Sequence, residues 1–249
     1  MKRVPYALAM VAILALAGPV QGQRVPSASR AIAAAVADSG RPAEDVARDA
    51  ERRPAQIVAF AGVRPGDRIV ELAPGGGYYT RILARSVGPH GHVYAVVSPR
   101  FAQQPGALDR LRTSFSAYPN VEFIVSDIRS LTMAQPVDLV WTTENYHDFH
   151  NVPNADIAAL DRAVFGVLKP GGIFYVEDHA APGTGVSATS TLHRIDPQAV
   201  RDEVRAAGFR LEAESQLLAN PADPHSARSN DPSIRGHTDR FAMRFRKPR

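Results

Sequence analysis

The stretch Ile69-Val70-Glu71-Leu72-Ala73-Pro74-Gly75-Gly76-Gly77-Tyr78-Tyr79-Thr80 decides how the rest of the chain is read. An apolar run ends in an acid, three glycines follow, and Tyr79, Ile82, Leu83 and Val87 then recur at helical spacing. The pattern is strand, tight turn, helix. Glycine lacks a Cβ and tolerates positive φ, so such a turn can pass close under a ligand. The helix that follows offers unpaired N–H groups to it. Taken alone, the turn serves dinucleotides and other nucleosides alike. Its nicotinamide form wants glycine or alanine where Thr80 stands, and an acid at the end of the second strand. Here that strand ends Val96-Val97-Ser98-Pro99, so the nicotinamide reading loses two supports.

Outward from this turn the chain alternates. Apolar runs of strand length occur at Ile69–Leu72, Val93–Val97, Val121–Val125, Val137–Trp141 and Ile173–Val176. Helical patterns occur at Tyr79–Ser86, Leu108–Phe115, Ala155–Leu168 and Pro197–Ala207. Continuous apolar strands alternating with amphipathic helices predict an α/β fold, a doubly wound and mostly parallel sheet with helices on both faces. Its crossovers should be right-handed. Phe209–Ser215 and Arg240–Arg246 alternate with no helix between them, only a polar loop from Asn220 to Gly236. That predicts an antiparallel pair at one end of the sheet.

Before the sheet, residues 23–30 read as a polar linker and Ala31–Ala37 as an alanine-rich helix. Ala43–Ala61 reads as a second helix interrupted at Pro54, and its Arg48, Asp49 and Arg53 as a solvated face. The expected division is a signal peptide over 1–22, a linker and N-terminal helix over 23–44, and one domain over 45–249. Lys2 and Arg3, the short apolar run Tyr6–Ala17 and the small residues Gly18, Pro19 and Gly22 resemble an export signal cleaved near Gly22, an uncleaved anchor being the alternative. Either way the domain is expected outside the cytoplasm, periplasmic or secreted. With the signal cleaved, no stable membrane association is expected.

Composition narrows the chemistry. The 249 residues contain no cysteine, which excludes disulfides, thiolate metal sites and a cysteine nucleophile. The net charge is +4, of which Lys2 and Arg3 supply two. Arg240, Arg244, Arg246, Lys247 and Arg249 make a basic end, read as solvated. Only Phe241 and Phe245 interleave it, so nucleic acid is not an expected partner; a small-molecule substrate is.

From about residue 45 the chain resembles the class I S-adenosylmethionine-dependent methyltransferases. Glu71 through Gly77 resembles their glycine-rich first motif, with Ala73 where the first glycine usually stands. Gly91-His92-Val93-Tyr94-Ala95-Val96 resembles the second strand, and Ser126-Asp127-Ile128 the acid-containing turn after the third. Val137-Asp138-Leu139-Val140-Trp141 resembles the fourth strand, and Leu168-Lys169-Pro170-Gly171-Gly172-Ile173 the turn into the fifth. More narrowly, Pro74–Tyr79, Asn145-Tyr146-His147-Asp148 and His193-Arg194-Ile195-Asp196 resemble a group of exported bacterial predicted methyltransferases. The resemblance implies a Rossmann-like, seven-stranded sheet ending in an antiparallel hairpin. It implies S-adenosylmethionine as cofactor, with Glu71 reaching the methionine amino group. Gly75 and Gly77 would lie under the ligand with Ala73 in the same turn, Asp127 would accept from the adenine amine, and Ile128 would pack on the ring. The family's ribose-binding acid has no counterpart here, leaving Val97 and Ser98. One charge-assisted contact, about 1.5–3 kcal/mol, is thereby lost. For Asp127 a helix N-cap is the other reading.

A second constellation follows the fourth and fifth strands, where the ligand crevice of an open α/β sheet lies. It comprises Thr143–His150, Glu177-Asp178-His179, and then His193, Arg194 and Asp196. Three readings stay open. His147 or His179 could act as general base on an acceptor. His147, Asp148, Asp178, His179 and His193 could hold a divalent ion against a catechol-like acceptor. Or these residues could simply cap strand ends. His147, Asp148, His179 and His193 are the candidate acceptor-side residues. No residue is assigned to a metal, because the spacing of His147 and His150 fits no zinc signature. His90, His92, His225 and His237 are expected off the crevice.

Overall fold

The computed structural model describes residues 27–249; the expected signal peptide and the first part of the linker lie outside the described residues. The elements run α1 (Ser27–Val36), α2 (Ala43–Val46), α3 (Asp49–Arg52), α4 (Pro54–Ala61), β1 (Arg68–Leu72), α5 (Tyr78–Val87) and β2 (His92–Val97). They continue through α6 (Pro99–Ala102), α7 (Ala107–Ser114), β3 (Val121–Val125), a 3₁₀ turn at Ile128–Ser130, β4 (Val137–Thr143), α8 (Tyr146–Phe149) and α9 (Ile157–Val167). The last are β5 (Leu168–His179), α10 (Thr189–Leu192), α11 (Pro197–Ala206), β6 (Arg210–Ser215) and β7 (Arg240–Arg246).

One seven-stranded sheet has the order β3-β2-β1-β4-β5-β7-β6. Strands β1 to β5 pair in parallel, while β7 runs antiparallel between β5 and β6. This is the Rossmann-like, mostly parallel sheet with its antiparallel hairpin. Alternate residues of each central strand point to opposite faces, and the core divides accordingly. Ile69, Leu139, Trp141 and Tyr175 pack with residues of α1, α4 and α5 on one face. Val70, Val140, Phe174 and Val176 pack with α9 and α11 on the other. Among the described residues no helix is long and apolar enough to cross a membrane.

Four expectations need correcting. The linker does not extend to residue 30: α1 begins at Ser27, and Ile32 and Ala35 are buried in the core against α4 and α5. The 43–61 helix breaks where expected, at Arg53 (φ 44°) ahead of Pro54, but it also breaks at Ala47–Arg48, leaving three short helices. Residues 168–172 are the start of β5 rather than a turn; Leu168 pairs with Val137 across an irregularity at Val137/Leu139. The basic end is exposed as expected at Arg249 but engaged elsewhere. Arg240 is buried against Glu144 and Glu177, Arg244 and Arg246 pair with Glu212, and Lys247 donates to the Phe165 and Leu168 carbonyls.

Candidate functional site

β1 has β2 on one side and β4 on the other, so the chain's crossovers leave in opposite directions at its C-terminal end. That switch point is where a doubly wound sheet opens a crevice. After Leu72 the backbone turns sharply: Ala73 sits at φ 51° and Gly75 at φ 57°. Alanine in the left-handed region costs about 1–2 kcal/mol, and neighbouring bonds hold it there. The Ala73 N–H donates to the Val96 carbonyl, and Asn145 Nδ2 donates to the Ala73 and Leu72 carbonyls at 3.1 and 3.3 Å. Arg81 Nη1 donates to the Gly76 and Gly77 carbonyls at 2.8 and 3.0 Å.

Two cavities meet on this turn, sharing Ala73, Pro74, Gly75 and Asn145. The larger, about 590 Å³, is walled by apolar side chains such as Val97, Phe101, Ile128 and Leu160. The smaller, about 240 Å³, is polar and contains Glu71, Arg48, Arg52, Tyr78 and Glu144.

The expected cofactor residues divide between them. Glu71 is 3% exposed, its Oε2 has no partner, and burial pushes its carboxyl up to about 7. Ser98, Asp127 and Ile128 line the larger cavity, with Ala73 and Gly75. Asp127 takes the N-cap role that was its other reading. It lines the cavity, and it also caps the 3₁₀ turn by accepting from the Arg129 N–H at 3.0 Å. The Arg129 guanidinium on both its oxygens holds the carboxyl below its usual range. Ser98 Oγ accepts from the Phe101 N–H as the cap of α6, so the end of β2 presents no carboxylate. Gly77 is a correction: it lines neither cavity. It sits at φ 82°, and a Cβ there would lie 2.1 Å from the Phe115 ring, so packing and the entry to α5 require the glycine.

Sequence reasoning missed the smaller cavity's ion network. Arg52, not singled out in the sequence, is half-buried and pairs with Glu144. Arg240 Nη1 donates to Glu144 at 2.6 Å and to Glu177 at 3.3 Å. Burial pushes Glu144 up, but Arg52, His179 and Arg240 outweigh it and hold it low; burial keeps Glu177 high. The one signal available was the acid at the end of each of β4 and β5.

On the acceptor side three of the four candidates converge. His147, on α8, is buried; its N–H donates to Asp178 Oδ2 at 2.8 Å, and Nδ1 lies 2.7 Å from Asp178 Oδ1. Its Nε2 lies 3.3 Å from both His193 Nδ1 and Asp148 Oδ1. His193 ends α10 at φ 50° with Nδ1 3.2 Å from the same Asp148 oxygen. Asp148 alone of the three lines the larger cavity. His179 stands apart, its Nδ1 2.8 Å from Thr238 Oγ1. Burial would lower His147, but Asp178 and Asp148 push it up to about 10. Burial pushes His179 down to about 4, and it lines neither cavity. His225 lies off the crevice on Asp239, and His237 is exposed.

The methyltransferase domain family model matches residues 69–172. The protein-L-isoaspartate O-methyltransferase of Ignicoccus hospitalis is 31% identical over 131 residues, 52% of this chain and 55% of that protein. The ubiquinone/menaquinone biosynthesis C-methyltransferase UbiE of Vibrio cholerae is 29% identical over 191 residues, 74% of this chain and 63% of that protein. The chain thus spans less than two thirds of either relative. The structure of the N-methyltransferase NodS from Bradyrhizobium japonicum WM9 superposes with a TM-score of 0.55 at 14% identity, covering 81% of this chain and 96% of that one. At that identity it shows the fold.

Proposed function

We propose that this chain, with a methyltransferase domain over residues 69–172, transfers a methyl group from S-adenosylmethionine to a small-molecule acceptor. The observation that carries the reading is the pair of cavities joined at Ala73–Gly75. One is an apolar slot with a carboxylate at its edge, suited to a nucleoside. The other holds a buried carboxyl whose Oε2 has no partner, and is lined as well by two guanidinium groups, suited to an α-amino acid. S-adenosylmethionine has a nucleoside at one end and an amino acid at the other. Ile128 would flank the base, Asp127 would accept from its amine, Glu71 would face the ammonium, and Arg48 the carboxylate. Methyl transfer from a sulfonium is an in-line displacement with an already activated donor, so the protein's task is chiefly positioning. The two curated relatives are named for O- and C-methylation, so neither supplies this chain's acceptor.

The cap at Ser98 favours a second reading, a non-catalytic carrier of a nucleoside-type ligand. The basic start and short apolar run at residues 2–17 support action outside the cytoplasm, in the manner of the exported group that the chain resembles. Native mass spectrometry of the purified full chain separates the readings. The expected result is a retained or added mass equal to S-adenosylmethionine or its demethylated product. A different nucleoside would favour the carrier, and no adduct with either ligand at millimolar concentration would overturn both the cofactor and the reaction.

A further inference from the structure

We propose that His147, Asp148 and His193 form a site for one divalent transition-metal ion, of the zinc or ferrous type, beside the larger cavity. Among the described residues these three bring one ligand atom each within 4.8 Å of the others. The distances are more specific than that. His147 Nε2, His193 Nδ1 and Asp148 Oδ1 form a triangle with sides of 3.3, 3.2 and 3.3 Å. An ion with bonds of about 2.0–2.1 Å in tetrahedral geometry has ligand edges of about 3.3 Å. The three atoms therefore already have the spacing of one face of such a polyhedron.

The surroundings have the form such a site requires. His147 is oriented by its other ring nitrogen, 2.7 Å from Asp178, a fully buried carboxylate that also accepts from the His147 and His179 N–H groups. A metal-binding imidazole is typically fixed in this way by a carboxylate on its far nitrogen. His193 holds left-handed backbone at φ 50°, an uncommon conformation for a non-glycine residue, and its Nδ1 is one vertex of the triangle. Two imidazoles and a carboxylate suit zinc or iron and do not suit magnesium or calcium, which prefer all-oxygen sites. Three protein ligands leave a position open, as in catalytic rather than structural zinc sites. The side chains of Asp148 and His193 are 48% and 33% exposed, and Asp148 lines the larger cavity, so the open position is reachable from that side. Binding of the ion stands independently of the methyl-transfer reading. Its role, holding an acceptor oxygen against the cofactor, rests on that reading.

The test uses untagged full chain stripped with a chelator and titrated with Zn²⁺ by calorimetry and with Co²⁺ by visible absorption, without cofactor. One equivalent should saturate, with the intense absorption of a low-coordinate Co²⁺ site. Asp148→Ala and His193→Gly should each weaken binding at least about 100-fold, and Asp178→Asn about 10–100-fold through His147. Glycine suits the backbone at position 193, so that variant should stay folded by circular dichroism. His90→Ala should titrate like the parent. Absence of a saturable equivalent in the parent, or unchanged binding in Asp148→Ala and His193→Gly, would overturn the site. Cofactor occupancy is measured separately, so failure here leaves the methyl-transfer reading standing, and the converse holds.

Discussion

Glu71 is a carboxyl group kept from water at the floor of the smaller cavity, and its charge decides what can bind there. Burial raises it from 4.5 to about 7. Below that pH it is neutral and offers no charge to an ammonium group; above it, it is a carboxylate. Affinity for an amino-acid-bearing nucleoside should therefore rise with pH through about 7, falling up to about tenfold per pH unit below it. Glu71→Gln should flatten that profile in a calorimetric pH series. The sign is opposite for the unliganded fold. A carboxyl whose folded value is raised contributes stability that is complete below its unfolded value and lost as pH rises through about 7. Gly77 makes a prediction of a different kind. Alanine there meets both a left-handed φ of 82° and the Phe115 ring, so Gly77→Ala should cost about 2–4 kcal/mol in urea denaturation. The glycines of the turn read alike in the sequence, yet Gly75 faces the ligand space and Gly77 faces the core. Only the position of Phe115, on a later element, separates them.

At the scale of elements, the strands and the helices after β1 were legible because their apolar periodicity is local. The segment before β1 was less so: the interruption at Pro54 was legible, but the break at Ala47–Arg48 was not. What local pattern cannot carry is pairing across the chain. Arg52 meets Glu144 92 residues away, and His147 meets His193 46 residues away. A charged residue on a helix reads as solvated until its partner's position is known, which is why the network under the smaller cavity was missed. The polar segment between β6 and β7 is a similar case. It is tied down by Arg194, which is fully buried with Nη1 2.7 Å from Asp223 and further bonds to the Ala180 and Ala227 carbonyls. Asp223→Ala would leave that guanidinium buried without its counter-ion. The expected loss is about 3–5 kcal/mol by chemical denaturation, with Arg194→Met/Asp223→Ala costing less than the single change.

For the molecule as a whole, the sheet order places the β1 turn, the β2 and β3 ends and the loop after β4 around one crevice. The sequence motifs named the pieces in order, and the fold explains why they converge: all stand at the carboxyl ends of parallel strands. The motifs did not reveal that the crevice divides into an apolar and a polar half meeting at Ala73–Gly75. Nor did they reveal that the missing ribose acid is replaced by a serine already engaged as a helix cap. That division is the basis for assigning a cofactor with a nucleoside at one end and an amino acid at the other. The most direct test is a calorimetric titration of the full chain with S-adenosylhomocysteine at pH 8, run for the parent and for Glu71→Gln. Binding of one equivalent is predicted, weakened in the variant by a charge-assisted bond of about 1.5–3 kcal/mol. No heat of binding at millimolar ligand, or equal affinity in the two proteins, would contradict the account.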